Sequence, residues 1–192
     1  MDTNPVAKKK FIPKLRAIQS DDQSTKKQIN VSTLQICLNA KLSELKEYRG
    51  WNKSSNYETG FCQIMGWTRI DQSDYDCTWT ISNEVILIEL KKSKSGFWIN
   101  SVNLARLYKK SPEERNIFMI FLKLGQRNRT KVLSKIYIVH AEKLIEFTNM
   151  KTMADHIIAI DEYYKKFDIK NNNQLSIKCN MLDKICDGYI EC

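Results

Sequence analysis

Apolar residues recur along this chain with two different periods, and the switches between them mark out its elements. Val31, Leu34, Leu38, Leu42, Leu45 and Tyr48 fall three and four apart, the spacing of one helix face. Ser32 or Thr33 is placed to cap its start, and Gly50 follows its end. A polar loop around Trp51 to Asn56 and a mixed segment from Glu58 to Ile70 come next, then the β-formers of Asp76 to Ser82. Val85-Ile86-Leu87-Ile88-Glu89-Leu90 is a continuous apolar run of the kind found in a strand covered on both faces, and it predicts the central strand.

Ser93 to Gly96 reads as a loop. Ile99, Val102, Ala105 and Tyr108, widened by Leu104 and Leu107, predict a helix over Ile99 to Lys109, ended by Ser111-Pro112. Ile117 to Leu122 and Ile136 to Val139 predict two more strands around a basic turn, Gln126 to Lys131. Met153, His156, Ile157, Ile160 and Tyr164 predict a last helix before the Asn171-Asn172-Asn173 turn. Apolar strands alternating with helices predict an α/β sheet, at least partly parallel, with helices on both faces. The chain divides into a basic, flexible arm over residues 1–30, an α/β domain over 31–168 and an extension over 169–192 whose structure the pattern leaves open.

Charge adds a partner class. Lys and Arg number 31 against 22 Asp and Glu, a formal net charge of +9, which favours a polyanion such as nucleic acid. With no apolar run of about 18 residues and no secretory pattern, the chain is expected off the membrane, not secreted, in the cytoplasm or nucleus. The six cysteines lack a Cys-x-x-Cys pair and are expected as reduced thiols. Both histidines, His140 and His156, sit among apolar residues and are expected to pack rather than ligate.

The chemistry concentrates at the end of the central strand. Period-two geometry puts Val85, Leu87, Glu89 and Lys91 on one face and Ile86, Ile88 and Leu90 on the other, so an acid and a base emerge together. A carboxylate there needs a paired cation or a metal. Lys91 is a candidate for the first, and Asp76, returned by a hairpin, helps build the second. Asp74 competes with Asp76 for that place. Mg²⁺ or Mn²⁺ is the expected ion, since these hard cations take carboxylate oxygens and activate water.

Asp76, followed at hairpin distance by Glu89-Leu90-Lys91 and then by helix and strand, resembles the PD-(D/E)xK nuclease superfamily, which includes restriction endonucleases and Holliday junction resolvases. The resemblance covers about residues 31–150, with Tyr75 where the motif names proline. It implies a restriction-endonuclease-like mixed central sheet flanked by helices, and hydrolysis of phosphodiester bonds with Asp76 and Glu89 on the metal and Lys91 positioning the attacking water. A helix glutamate completes the site in some members. Glu44, Glu47 and Glu58 all precede Asp76, and Glu47 is the one favoured. A second Glu-x-Lys, Glu44-Leu45-Lys46, lies on a helical pattern with no strand before it.

Lys92, Lys94, Arg127, Arg129 and Lys131 are the expected phosphate contacts, and Trp98 a stacking surface for bases. The expected function is a metal-dependent endonuclease acting on DNA, with RNA and a homodimer left open. A catalytically inactive nucleic-acid-binding subunit of the same fold is the alternative, and a module for an acidic protein partner the third reading.

Overall fold

The computed structural model describes residues 11–52, 56–70, 75–81, 84–111, 116–148 and 174–192. Six strands form a mixed sheet in the order β1-β2-β3-β5-β6-β8: β1 (Thr68–Arg69), β2 (Cys77–Ile81), β3 (Glu84–Ser93), β5 (Ile117–Arg127), β6 (Thr130–His140) and β8 (Gly188–Glu191). Only β3 and β5 are parallel neighbours; every other adjacent pair is antiparallel. Parallel neighbours need a crossover. Here β4 (Gly96–Asn100) and α4 (Ser101–Lys109) supply it, and β4 pairs with β7 (Gln174–Lys178) in a separate two-stranded sheet.

Helices cover both faces. Ile86, Ile88 and Leu90 of β3 join Phe118, Ile120, Ile136 and Ile138 against α1 (Phe11–Ala40), α2 (Leu42–Glu47) and α3 (Tyr57–Met65). Met119, Phe121, Tyr137 and Val139 pack on the opposite side, against α4, α5 (Ala141–Phe147) and α6 (Cys179–Ile185). Because β5 feeds both layers with alternate side chains, Ile117 to Leu122 are all buried, which is why that run shows no polar alternation.

Several boundaries differ from the expected ones. α1 starts at Phe11, and the hydroxyls of Ser32 and Thr33 donate one turn back to the carbonyls of Gln28 and Ile29, at 3.0 and 2.7 Å. Inside a helix such hydroxyls satisfy themselves on the preceding turn, so their presence does not mark an end. The region read as a loose arm is therefore helical from Phe11 on, with Lys26 paired to Glu84 at 2.7 Å. Ile99 belongs to β4 rather than to the helix, and Asn100 caps α4 by accepting from the amides of Val102 and Asn103. The basic turn shrinks to Asn128 and Arg129 because β5 and β6 extend to meet it. α5, β7, α6 and β8 had no counterpart in the pattern. The helix expected over Met153 to Tyr164 lies outside the described residues.

Two local arrangements steady the flank. The ring of Tyr48 lies between Gly50 and Gly60, where a Cβ on either would overlap it. α1 lies along β8: Gln35 Nε2 donates to Tyr189 O at 3.2 Å, and Gly188 leaves room for that side chain. Among the described residues no helix is long and apolar enough to cross a membrane.

The Arg49–Asn52 turn that links α2 to α3 is anchored by Trp51, which is fully buried, meets Tyr48 edge-on and donates from Nε1 to Leu45 O at 2.8 Å. Removing this side chain empties a core site and strands a carbonyl, so Trp51→Ala is expected to lower stability by about 3–5 kcal/mol in urea unfolding monitored by circular dichroism.

Candidate active site

β3 is longer than its antiparallel neighbour, and the site occupies the difference. The β2–β3 ladder ends at Cys77↔Ile88, whereas pairing with β5 runs on to Ser93↔Lys123. Past Ile88 no strand among the described residues lies beside the outer edge of β3, yet its polar groups must be paired. Asp76 and Tyr57 do this. Asp76 N donates to Ile88 O at 2.9 Å, Asp76 Oδ2 accepts from Leu90 N at 2.7 Å, and Tyr57 Oη donates to Leu90 O at 3.0 Å. Continued by one residue, the register sets Asp76 opposite Glu89. The hairpin thus brings the two carboxylates together, with Lys91 paired to Glu89 Oε1 on the same face.

Burial dominates the electrostatics of Glu89, whose side chain is only 14% exposed. Desolvation pushes its carboxyl up to about 8; Lys91 pulls it back in part, and Asp76 raises it further by its charge and by a shared hydrogen bond. The Tyr57 hydroxyl is likewise held well above its ordinary range, first by burial and then by the nearby charge of Glu58. Two cations face the two carboxyls: Lys91 beside Glu89, and Arg69, whose Nη1 lies 3.8 Å from Asp76 Oδ1.

Glu89 and Lys91 open into a cavity of about 190 Å³ that Asn100 at the end of β4 and Asn103 on α4 line, over an apolar floor that includes Leu104 and Met119. Behind Asp76, Arg69 ties the hairpin to α3. Its Nη1 donates to Ile70 O and to Asp76 O, the latter at 2.7 Å, and its Nη2 bonds Glu58 Oε2 at 2.9 Å.

Of the three glutamates that precede Asp76, Glu58 is the one joined to it, through Arg69. Glu47, favoured from sequence, is exposed at the end of α2, which packs through Leu45 against the β6 side of the sheet. Among the described residues no contact joins it to Asp76 or Glu89. Asp74 lies outside the described residues. Arg69 and Tyr57 were not anticipated, because both act through contacts distant in sequence, Tyr57 with Leu90 and Arg69 with Glu58.

The basic candidates gather at the same end of β3. Lys92 stands over the Tyr57 ring at 4.2 Å, and its ammonium is pushed down first by burial and then by Lys131. Lys94 Nζ donates to Gln126 Oε1 at 2.8 Å, and Lys131 N to Asn52 Oδ1 at 2.9 Å. Arg127 and Arg129 are exposed at the tip of the β5–β6 hairpin. Trp98 is 61% exposed on β4, opposite Ser176, whereas Trp51 and Trp67 are buried and Trp79 stacks on Trp67 at 5.8 Å. His140 is buried as the cap of α5, its imidazole pushed down to about 4 mainly by desolvation.

Among the described residues no group of three or more His, Cys, Asp or Glu side chains converges as a metal site. Asp76 and Glu89 form a pair. That still fits a hard divalent cation such as Mg²⁺, which takes one or two carboxylates and fills its other positions with water and substrate phosphate. The juxtaposition of the Asp76 and Glu89 carboxyls across the hairpin is the observation that fits it. All six cysteines are free thiols. The chain matches no known protein family, and no curated protein matches its sequence.

Since the folded state binds a proton at Glu89 more tightly than the unfolded chain, this group's contribution to stability is fully present below about 4.5 and is lost as pH rises through about 8. Metal-free thermal melts across that window should show the wild type losing stability relative to Glu89→Gln as pH rises. Parallel pH profiles for the two proteins would show that Glu89 titrates as an ordinary exposed carboxylate.

Proposed function

We propose that this protein is a divalent-metal-dependent endonuclease with a restriction-endonuclease-like fold, acting on DNA. The observation that carries the reading is the juxtaposition of Asp76 and Glu89, with Lys91 beside Glu89, at the end of β3 where the sheet opens toward a basic surface. The mixed sheet with helices on both faces supports the fold.

Asp76 and Glu89 would hold Mg²⁺ or Mn²⁺. Such an ion offsets charge on a phosphate and lowers the pKa of bound water. The chain's own residues set the rest of the arrangement. Asp76 is fixed by Leu90 N, and the backbone carbonyl of Asp76 is tied to Arg69, so one carboxylate is preset before any ligand arrives. Glu89 must lose its proton to serve as a ligand, and Lys91 favours that loss. Lys91 also orients a water and offsets phosphate charge, while Lys92, Lys94, Arg127, Arg129 and Lys131 bind the backbone and Trp98 offers a face to an unpaired base.

One observation favours the non-cutting alternative, a nucleic-acid-binding subunit of the same fold. Asp76 Oδ2 already accepts from Leu90 N, so this carboxylate has a structural task of its own. Calorimetry with Mn²⁺ separates the two, because only the endonuclease reading requires ion binding at Asp76 and Glu89.

With Mg²⁺ present, the purified protein should nick or cut DNA, and chelation should stop it. Lys91→Ala should reduce cutting by about 100-fold or more while leaving DNA binding intact, measured by gel assay and fluorescence anisotropy side by side. Cutting that survives Lys91→Ala undiminished would defeat this assignment.

A further inference from the structure

The β5–β6 hairpin outruns the sheet that carries it. Pairing of β3 with β5 ends at Ser93↔Lys123 and that of β6 with β8 at Lys135↔Glu191, with Cys192 N donating once more to Ser134 O at 3.0 Å; from Leu133 on, the two strands pair with each other as far as Arg127↔Thr130. Leu124 and Leu133 are the last buried pair, and Gln126 to Thr130 are exposed. From Lys123 to Lys135 there is no acidic residue. The base of this ribbon is held on both sides, by Lys94 on Gln126 and by Asn52 on Lys131.

Its turn is built against backbone preference. Asn128 and Arg129 have φ of 48° and 63°, both left-handed. A two-residue hairpin turn of this kind favours Asn followed by Gly. Asn tolerates the conformation, but an arginine in it carries the Cβ clash that glycine avoids. A strained residue that glycine would relieve, placed at the apex of a basic ribbon, points to a task for its side chain.

We infer that the β5–β6 ribbon enters the major groove of B-form duplex DNA and that Arg129 is the side chain it carries to the base edges. This rests on the nucleic-acid reading above and narrows it to one duplex form. The B-form major groove, about 12 Å wide and about 8.5 Å deep, admits a two-stranded ribbon. Beyond the Gln126–Lys131 base, the Arg127↔Thr130 pair rises about 3.4 Å and the turn adds to it, so the Arg129 side chain supplies most of the reach toward the groove floor. The major groove of duplex RNA is too deep and narrow for such a reader.

The test is anisotropy in EDTA, where nothing is cut, with three probes: a mixed-sequence DNA duplex, the matching RNA duplex and the DNA single strand. The wild type should prefer duplex DNA to duplex RNA by about tenfold or more, and Arg129→Gly should lose about tenfold on duplex DNA alone. The same substitution should raise the melting temperature by about 2–4 °C, because it removes the strain. Arg129→Asn, which tolerates the turn, should lose the same binding.

Four results would overturn the inference: unchanged duplex DNA binding by Arg129→Gly, an equal loss on all three probes, wild-type binding of duplex RNA as tight as duplex DNA, or a lower melting temperature for Arg129→Gly. The measurement is independent of cutting. DNA binding of this pattern without cleavage would defeat the endonuclease reading and leave the groove contact standing; cleavage with Arg129-independent binding would do the reverse.

Discussion

A strand that outlasts its neighbour leaves backbone amides and carbonyls that must find partners, and this requirement organises the end of β3. Beyond Ile88 the missing strand is replaced by two side chains, Asp76 on Leu90 N and Tyr57 on Leu90 O. Filling the gap brings a carboxylate opposite Glu89, and Arg69 then fastens the same segment to Glu58 on α3. Backbone satisfaction and the assembly of a charged pocket are here one arrangement. A substitution at Asp76 would disturb both, whereas Lys91 is bound to no backbone group in the described contacts, so its replacement tests the proposed chemistry more cleanly.

The sheet separates two kinds of wall. The layer under α1, α2 and α3 is almost wholly apolar and closes over Ile86, Ile88 and Leu90. On the other side α4 stands off far enough to leave a cavity beside Glu89 and Lys91. An apolar floor beneath charged groups keeps the local dielectric low, which strengthens their mutual attraction and raises the cost of any charge left unmatched. The upward displacement of Glu89 expresses that cost.

What could be read from the chain alone follows from which interactions are local. The apolar run at Val85 to Leu90 placed the central strand, although only its Ile86, Ile88 and Leu90 face is buried and Val85 is exposed, and its period-two alternation assigned Glu89 and Lys91 to the face where they stand, because side-chain alternation is a property of the strand itself. The spacing from Asp76 to Glu89 was also readable, since a short antiparallel hairpin admits few registers. Choosing Glu58 over Glu47 required knowing that α3, which carries Glu58, lies beside β1, a tertiary fact with no local mark. Arg69 was hidden for the same reason. Ile99 misled because its apolar spacing continues smoothly into α4 across the Asn100 cap, and Ser32 and Thr33 because a hydroxyl that caps one helix can equally bond back inside another.

The contact of α1 with β8 bears on how these molecules behave toward one another. A bare outer strand is a template on which another chain can add its own. Gln35, reaching over Gly188 to the carbonyl of Tyr189, occupies an acceptor on that outer strand. At the opposite border the outermost strand, β1, is only two residues long. Among the described residues, the two-residue β1 and the β8 carbonyl held by Gln35 leave the sheet less free edge for ribbon-like growth between copies.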